Sequence, residues 1–487
     1  MMKDELKILE AALEEITRVA RGFGLDFYDM YFEVCPAEII YTFGAYGMPT
    51  RFSHWSFGKN YHKMKTQYDY NLSRIYEMVI NSDPCYAFLL EGNSIIQNKM
   101  VIAHVLGHCD FFKNNRYFSR TSRKMVETMA SSADRFRGYE FRYGKDKVES
   151  FIDAVTAIQE HVDFYRREQV VAPDSKKIRG KGDCGSSCGV GGCDSHDQQH
   201  RETPYDDLWA LDKKPHQCAG KCKEKKKRFP AEPEKDVLLF IMNEARNLEE
   251  WQRDIISTVR DEMLYFLPQM QTKIINEGWA SYWHLRIMRE LDLTGEETLE
   301  FAKMHAGVIQ TSKIRLNPYF LGLKIFEDIE KRWDSPTGEE RKKYARPGGE
   351  GREKIFEVRE LDNDISFIRN YLTKELIEEL DLYVYKKVGY EWKVVDKNWE
   401  SIRDTLVQNL ANSGFPYIVV EDGDFNLRAE LLLKHLFEGI ELDVYYLERT
   451  LPHVQTLWGR PVHLETVIDN KKILFSYNGD KISKKFI

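Results

Sequence analysis

Apolar residues recur at helical spacing from the start of the chain: Leu6, Leu9, Leu13 and Ile16 alternate with acids and bases and predict an amphipathic helix. An aromatic stretch punctuated by Gly and Pro follows, Tyr41 to Tyr61, and predicts packed irregular loops lining a cleft. Helical periodicity resumes near Tyr68 and continues through Asn98–Asn115, Arg120–Phe141 and Lys145–Tyr165. Residues 168–235 break the pattern, with Lys, Gly, Asp, Ser and Pro in place of aliphatics, and read as a long insertion or linker. A second helical block runs from Asp236 to about Trp333, containing Leu238–Phe266 and Gln271–Leu291. The charged, Gly-rich stretch Asp334–Lys354 reads as another linker. Beyond it the period shortens: Pro416–Val420, Val462–Thr466 and Lys472–Tyr477 predict strands, and Ala429–Phe437 a helix. The expected architecture is mainly α, a helical core in two parts (1–167 and 236–333). A linker and helical connector (334–382) then leads to a small α/β domain (383–487).

Composition narrows this picture. A chain of 487 residues, 42% hydrophobic and 13% aromatic, can bury more than one large core. Its 71 basic and 78 acidic residues leave −7, which gives no reason to expect nucleic acid or anionic lipid as partner. No stretch approaches the roughly 18–20 apolar residues of a membrane span, and the first helix lacks the uninterrupted apolar run of a signal peptide. The expected compartment is cytoplasmic. Of eight cysteines, Cys35, Cys85 and Cys109 stand singly among apolar neighbours, as reduced buried thiols do.

The chemistry is concentrated in Val101-Ile102-Ala103-His104-Val105-Leu106-Gly107-His108. Two histidines four apart lie on one helix face, one turn from each other, so both can reach a single ion. The same pattern also fits two hydrogen-bonded core histidines. Two imidazoles do not complete a zinc shell, and a carboxylate from another helix is a common third donor. Glu277, in Asn276-Glu277-Gly278-Trp279-Ala280, is the candidate, because a carboxylate among small and aromatic residues is costly to bury without a partner. His284 lies two turns on, about 10.5 Å along the axis, too far to ligate the same ion with Glu277. It suits the outer shell of the site, or a proton donor across a cleft. Peptidases with this histidine spacing place a glutamate after the first histidine as general base; here that residue is Val105. Glu91 is the substitute base candidate and His54 a further cleft candidate. Asp110 points about 200° away from His108 and fits outer-shell or surface duty. The segment Asn243–Glu262, with Trp251, Arg253, Asp254 and Arg260, is a third helical stretch to place beside these two.

The insertion holds Cys184, Cys188, Cys193, Cys218 and Cys222, with His196 and His200 among them. Their spacing is looser than that of common zinc knuckles. A second, structural zinc in 184–222, a reduced unstructured segment and disulfides all remain open. Lys221 to Arg228 carries six basic residues against one acid, a solvated linker or a dock for an acidic partner.

These motifs resemble the stage V sporulation protein R family. The matching stretches are Phe43–Pro49 with Arg51–Trp55, Ala103–Asn115, Trp251–Ile255, Thr272–Ala280, Asn317–Gly322 and, near the end, Leu457–Val462. The resemblance implies a cytoplasmic protein of the mother cell that acts in spore cortex formation. Relatives in bacteria that do not sporulate are found near a serine protein kinase, which implies protein partners of that kind. No settled enzymatic activity comes with the family. By motif alone, His-x-x-x-His with a distant Glu-Gly-Trp-Ala also looks like the zinc site of all-helical metallopeptidases, so the core is expected to be zincin-like. The functional expectation is a metal-dependent amide hydrolase holding a divalent ion, zinc by its donors, on His104, His108 and Glu277. The alternative is a regulatory or scaffold protein whose metal site is structural or vestigial, which the valine at position 105 favours.

Overall fold

The computed structural model describes residues 3–69, 77–164, 229–312, 316–389 and 391–487. The chain opens with α1 (Lys3–Gly22), which buries Leu9 and Ile16 as its periodicity predicts. Next come β1 (Met30–Cys35), α2 (Ala37–Tyr46) and α3 (Trp55–Asp69). The stretch expected to be loops is therefore largely helical, and only 47–54 is irregular. Gly47, left-handed at φ 75°, caps α2 and turns the chain there. Two strands, β2 (Glu77–Ile80) and β3 (Cys85–Leu90), replace part of the helix expected after Tyr68. β3 is a short apolar run buried over nearly its whole length, and such a run carries no period that separates strand from helix. It is central in a three-stranded sheet of order β1-β3-β2, parallel to β1 and antiparallel to β2.

α4 (Ile95–Asn114) starts at a capping box in which Ser94 and Gln97 satisfy each other's backbone N–H groups. It is apolar nearly all round and buried from Met100 to Phe112, the mark of a central helix. α5 (Met125–Tyr143) and α6 (Lys145–Thr156) follow, then α7 (Val237–Glu244), α8 (Glu250–Gln271) and α9 (Lys273–Glu290). α8 and α9 are nearly one helix, broken at Thr272, whose hydroxyl donates to the Pro268 carbonyl at 2.7 Å. The next helices are α10 (Gly295–Val308), α11 (Pro318–Asp334), α12 (Gly338–Tyr344), α13 (Gly351–Leu361), α14 (Asp364–Tyr371) and α15 (Lys374–Glu379). The stretch read as a second linker thus folds as α12 and the first turn of α13.

A hairpin, β4 (Val384–Val388) with β5 (Glu391–Asp396), leads through α16 (Trp399–Leu410) to a five-stranded sheet. Its strands are β6 (Ile418–Phe425), β7 (Glu430–His435), β8 (Val462–Ile468), β9 (Lys471–Tyr477) and β10 (Ile482–Phe486), in the order β10-β9-β8-β7-β6. Only β7 and β8 run parallel, and α17 (Val444–Trp458) supplies the crossover that a parallel pair requires. The helix expected over Ala429–Phe437 is β7. Its Glu, Leu and Lys residues favour a helix locally, but pairing with strands on both sides overrides that preference.

Two large apolar clusters organise the molecule. One gathers α1, α4, α9, α11 and α13 to α16. The other joins α5 to α8 with α17 and the inner face of the five-stranded sheet. The fold is mainly helical with a C-terminal sheet, and no described helix is long and apolar enough to cross a membrane. Cys35, Cys85 and Cys109 are buried free thiols, as expected. The cysteine cluster of 184–222, with its alternatives of a second zinc, a reduced segment or disulfides, lies outside the described residues.

Candidate metal centre

Glycines beside the candidate ligands let the central helices touch backbone to backbone. A Cβ on Gly107 would stand 2.8 Å from the Ala280 Cα, so α4 meets α9 at the residue before His108. A Cβ on Gly278 would stand 2.4 Å from the Gly322 backbone, so α9 meets α11 at the residue after Glu277. The buried Asp364 carboxylate accepts the Ile274 and Ile275 N–H groups, each at 2.9 Å, and serves as a cap for α9 supplied by α14. These contacts fix the height and rotation of α9 against α4.

At this crossing His104, His108 and Glu277 converge. One donor atom from each lies within 4.8 Å of the others. Glu277 Oε2 is 3.6 Å from His104 Nε2 and 3.4 Å from His108 Nε2, and makes no hydrogen bond although it is shielded from solvent. Donors bonded at about 2.0–2.1 Å to a tetrahedral zinc lie roughly 3.3–3.4 Å apart. The spacing therefore fits ligands around an ion better than direct hydrogen bonds between them. Burial pushes the Glu277 carboxyl up, but the two imidazoles, when protonated, outweigh it and hold the group well below the usual carboxylate range.

The far side of each imidazole is already engaged. His108 Nδ1 meets Asn276 Oδ1 at 2.9 Å, so Nδ1 carries a proton, and in the neutral ring the Nε2 lone pair is then directed at Glu277. His104 Nδ1 lies 2.8 Å from His284 Nδ1, and His284 Nε2 lies 2.9 Å from His305 Nδ1. One proton assignment makes both bonds and turns the His104 Nε2 lone pair toward Glu277: His104 Nδ1–H donates to His284, and His284 Nε2–H donates to His305. That assignment needs a neutral His284. Its burial, and then the neighbouring His104, His305 and His108, hold its imidazole well below the ordinary range. Tyr319 from α11 stacks on His104, ring centroids 5.9 Å apart.

The site opens into a cavity of about 700 Å³, walled in part by Gly44, Gly47, Ile80 and Val101. A second cavity of about 750 Å³ adjoins it. The sequence candidates separate clearly here. His104, His108, Glu277 and His284 are brought together. Glu91 is exposed at the end of β3 and does not line the cavity, so its placement gives no support to a role as base. His54 lies elsewhere, its Nδ1 2.7 Å from Ser56 Oγ and its Nε2 3.1 Å from Asp153 Oδ1. Asp110 does point away from the centre, but into the protein. It is fully buried, accepts the Trp279 indole N–H at 2.8 Å and faces Arg359 at 3.2 Å. The stretch Asn243–Glu262 stays with the other apolar cluster: Asp254 binds Arg135 and Tyr139, and Arg260 binds Asp236. Sequence reasoning missed Asn276, although it directly precedes Glu277, and Lys273, one turn before it. It also missed His305 and Tyr319, whose approach depends on how α10 and α11 pack.

An all-helical crossing that offers two imidazoles and a carboxylate to one point defines a protein with a candidate metal centre at the heart of its main core. The family described as "SpoVR like protein" matches residues 3–415, and the "SpoVR-like C-terminal domain" matches residues 416–469. The chain belongs to the SpoVR family. It is 32% identical to "Uncharacterized protein YcgB" of Escherichia coli, over 94% of this chain and 91% of that one. No solved structure matches, and the zincin-like core expected from the His-x-x-x-His and Glu-Gly-Trp-Ala motifs is not supported.

Proposed function

We propose that this SpoVR-family protein holds a divalent ion, zinc by its donor set, between His104, His108 and Glu277, and that the centre serves amide hydrolysis during spore cortex formation in the mother-cell cytoplasm. The observation that carries this reading is the Glu277 carboxylate, poised between two Nε2 atoms at 3.4 and 3.6 Å without bonding to either. When bound, the ion supplies the Lewis acidity that polarises an amide carbonyl and activates water. The protein's part is to hold the donors. Asn276 orients His108, the His284–His305 pair orients His104, and Tyr319 covers the His104 face. His284 is engaged at both ring nitrogens, which makes it a positioning residue rather than a proton donor to substrate. Protein partners of the serine-kinase kind belong to the same proposal.

Val105 favours a second reading, a regulatory or scaffold protein with a structural or vestigial metal. Among the described residues that line the centre, the only carboxylate beside the two histidines is Glu277 itself, and none of them is a general base apart from the ligands. Metal analysis of the purified chain tests the site, and peptide hydrolysis by the zinc-loaded protein separates the two readings. Stoichiometric metal that vanishes in H104A and E277A is the expected result. Full retention in both variants would refute the assignment. Turnover by the loaded protein supports hydrolysis; a loaded but inert protein supports the scaffold.

A further inference from the structure

A cavity of about 200 Å³ lies at the seam between the helices and the five-stranded sheet, and it shares no lining residue with the two at the metal centre. The turn after α6, the start of α7, strands β6 to β8 and α17 wall it. Ile158, Val237, Leu433, Leu451, Val454 and Leu464 line it, each almost wholly buried. Four lining side chains carry polar atoms, and three of them are placed without the cavity. Asp443 accepts the Tyr445 and Tyr446 N–H groups as the cap of α17, Thr450 donates to the Tyr446 carbonyl at 3.0 Å, and Tyr446 is exposed at the rim. The fourth is His161. Its main-chain N–H and carbonyl are bonded to Ile158 and Val237, but its ring has no hydrogen-bonding partner among the described residues. Burial, and then Lys235, hold the imidazole below its ordinary range, so at neutral pH it offers one N–H and one lone pair.

Size and charge narrow the occupant. A dry apolar cavity of about 150 Å³ holds benzene, so this one takes a single ring with one or two added atoms. Apolar walls and the Asp443 carboxylate oppose an anion, and Lys235 opposes a cation. A neutral ligand with one hydroxyl satisfies the one open polar group.

We propose that this cavity binds a small neutral aromatic alcohol of the phenol class, with its ring against Leu451 and Val454 and its hydroxyl on the His161 imidazole. The site goes beyond the metal-centre reading and does not depend on it.

The test is calorimetric titration of the full chain with p-cresol and with toluene, which differ only in the hydroxyl. Both should bind the wild type. H161L leaves the bound hydroxyl unpaired and should weaken p-cresol about tenfold, while toluene stays within about twofold. A157L fills the chamber and should abolish binding of both probes with an unchanged circular-dichroism spectrum. Absence of p-cresol binding to the wild type would overturn the site. So would binding of both probes that survives A157L. A p-cresol affinity that H161L leaves intact would overturn the role of the imidazole.

Discussion

Histidines in two parts of this molecule meet the same kinds of partner and end in opposite states. In the C-terminal sheet, His463 Nδ1 bonds Ser476 Oγ at 2.7 Å and its Nε2 bonds Glu430 Oε2 at 3.1 Å. His54 is intermediate: Ser56 closes its Nδ1, while Asp153 Oδ1 lies 3.1 Å from its Nε2 without a hydrogen bond. At the α4–α9 crossing, His104 and His108 each close one ring nitrogen on a neighbour and turn the other toward Glu277 at 3.4 to 3.6 Å. Those few tenths of an ångström separate a satisfied polar network from a set of ligands. Residue type alone does not: both regions hold histidine beside glutamate.

The largest test of this contrast is metal retention. H104A, H108A and E277A should each lose the ion, whereas H463A and H54A should keep full stoichiometry by elemental analysis. H463A should cost only about 1 kcal/mol of stability, the worth of a lost polar pair. If H463A emptied the centre, the two regions would not be independent.

Next in size is the helix crossing. G278A drives a methyl into the Gly322 backbone and should destabilise the helical core by about 3 kcal/mol in urea unfolding. It should also weaken metal binding, because Glu277 is the preceding residue. An unchanged midpoint would mean that the helices can separate without disturbing the site.

A smaller effect concerns the outer imidazoles. H284L should reduce zinc affinity about 10- to 100-fold without abolishing binding, because His104 loses the partner that fixes its tautomer. With cobalt in place of zinc, the visible spectrum should shift in H284L and stay unchanged in H463A. Wild-type affinity and spectrum in H284L would reduce His284 to packing.

The smallest effect is a pH dependence at the seam between helices and sheet. Burial, and then Lys235, pull the His161 imidazole down to about 4 beside a cavity bounded by the turn after α6, α7, α17 and the sheet. Its folded value lies below the unfolded 6.5, so its contribution to stability is present above pH 6.5 and lost as pH falls through about 4. H161Q should flatten the stability profile over that window in equilibrium unfolding. A profile identical to wild type would show that another group controls the acid limb.

Much of the helical scaffold was legible in the chain, because amphipathic and fully apolar helices declare their period over many residues. α1, α4 and α9 all fall where the pattern places them. β2, β3 and β7 did not declare themselves. Each is short, and its state is set by partners far away in sequence, which local preference does not encode.

The site divides along the same line. The sequence by itself determined that His104 and His108 share a helix face, since 3.6 residues per turn leaves no other arrangement. It also placed Gly107 and Gly278 beside the ligands and left Val105 where a base would be expected. Only the tertiary structure decided that Glu277 arrives within 3.6 Å of both imidazoles, that His305 reaches His284, and that Glu91 and His54 stay outside. Those outcomes depend on where α9, α10 and α11 cross α4, and the crossings are fixed by close packing between segments some 170 residues apart.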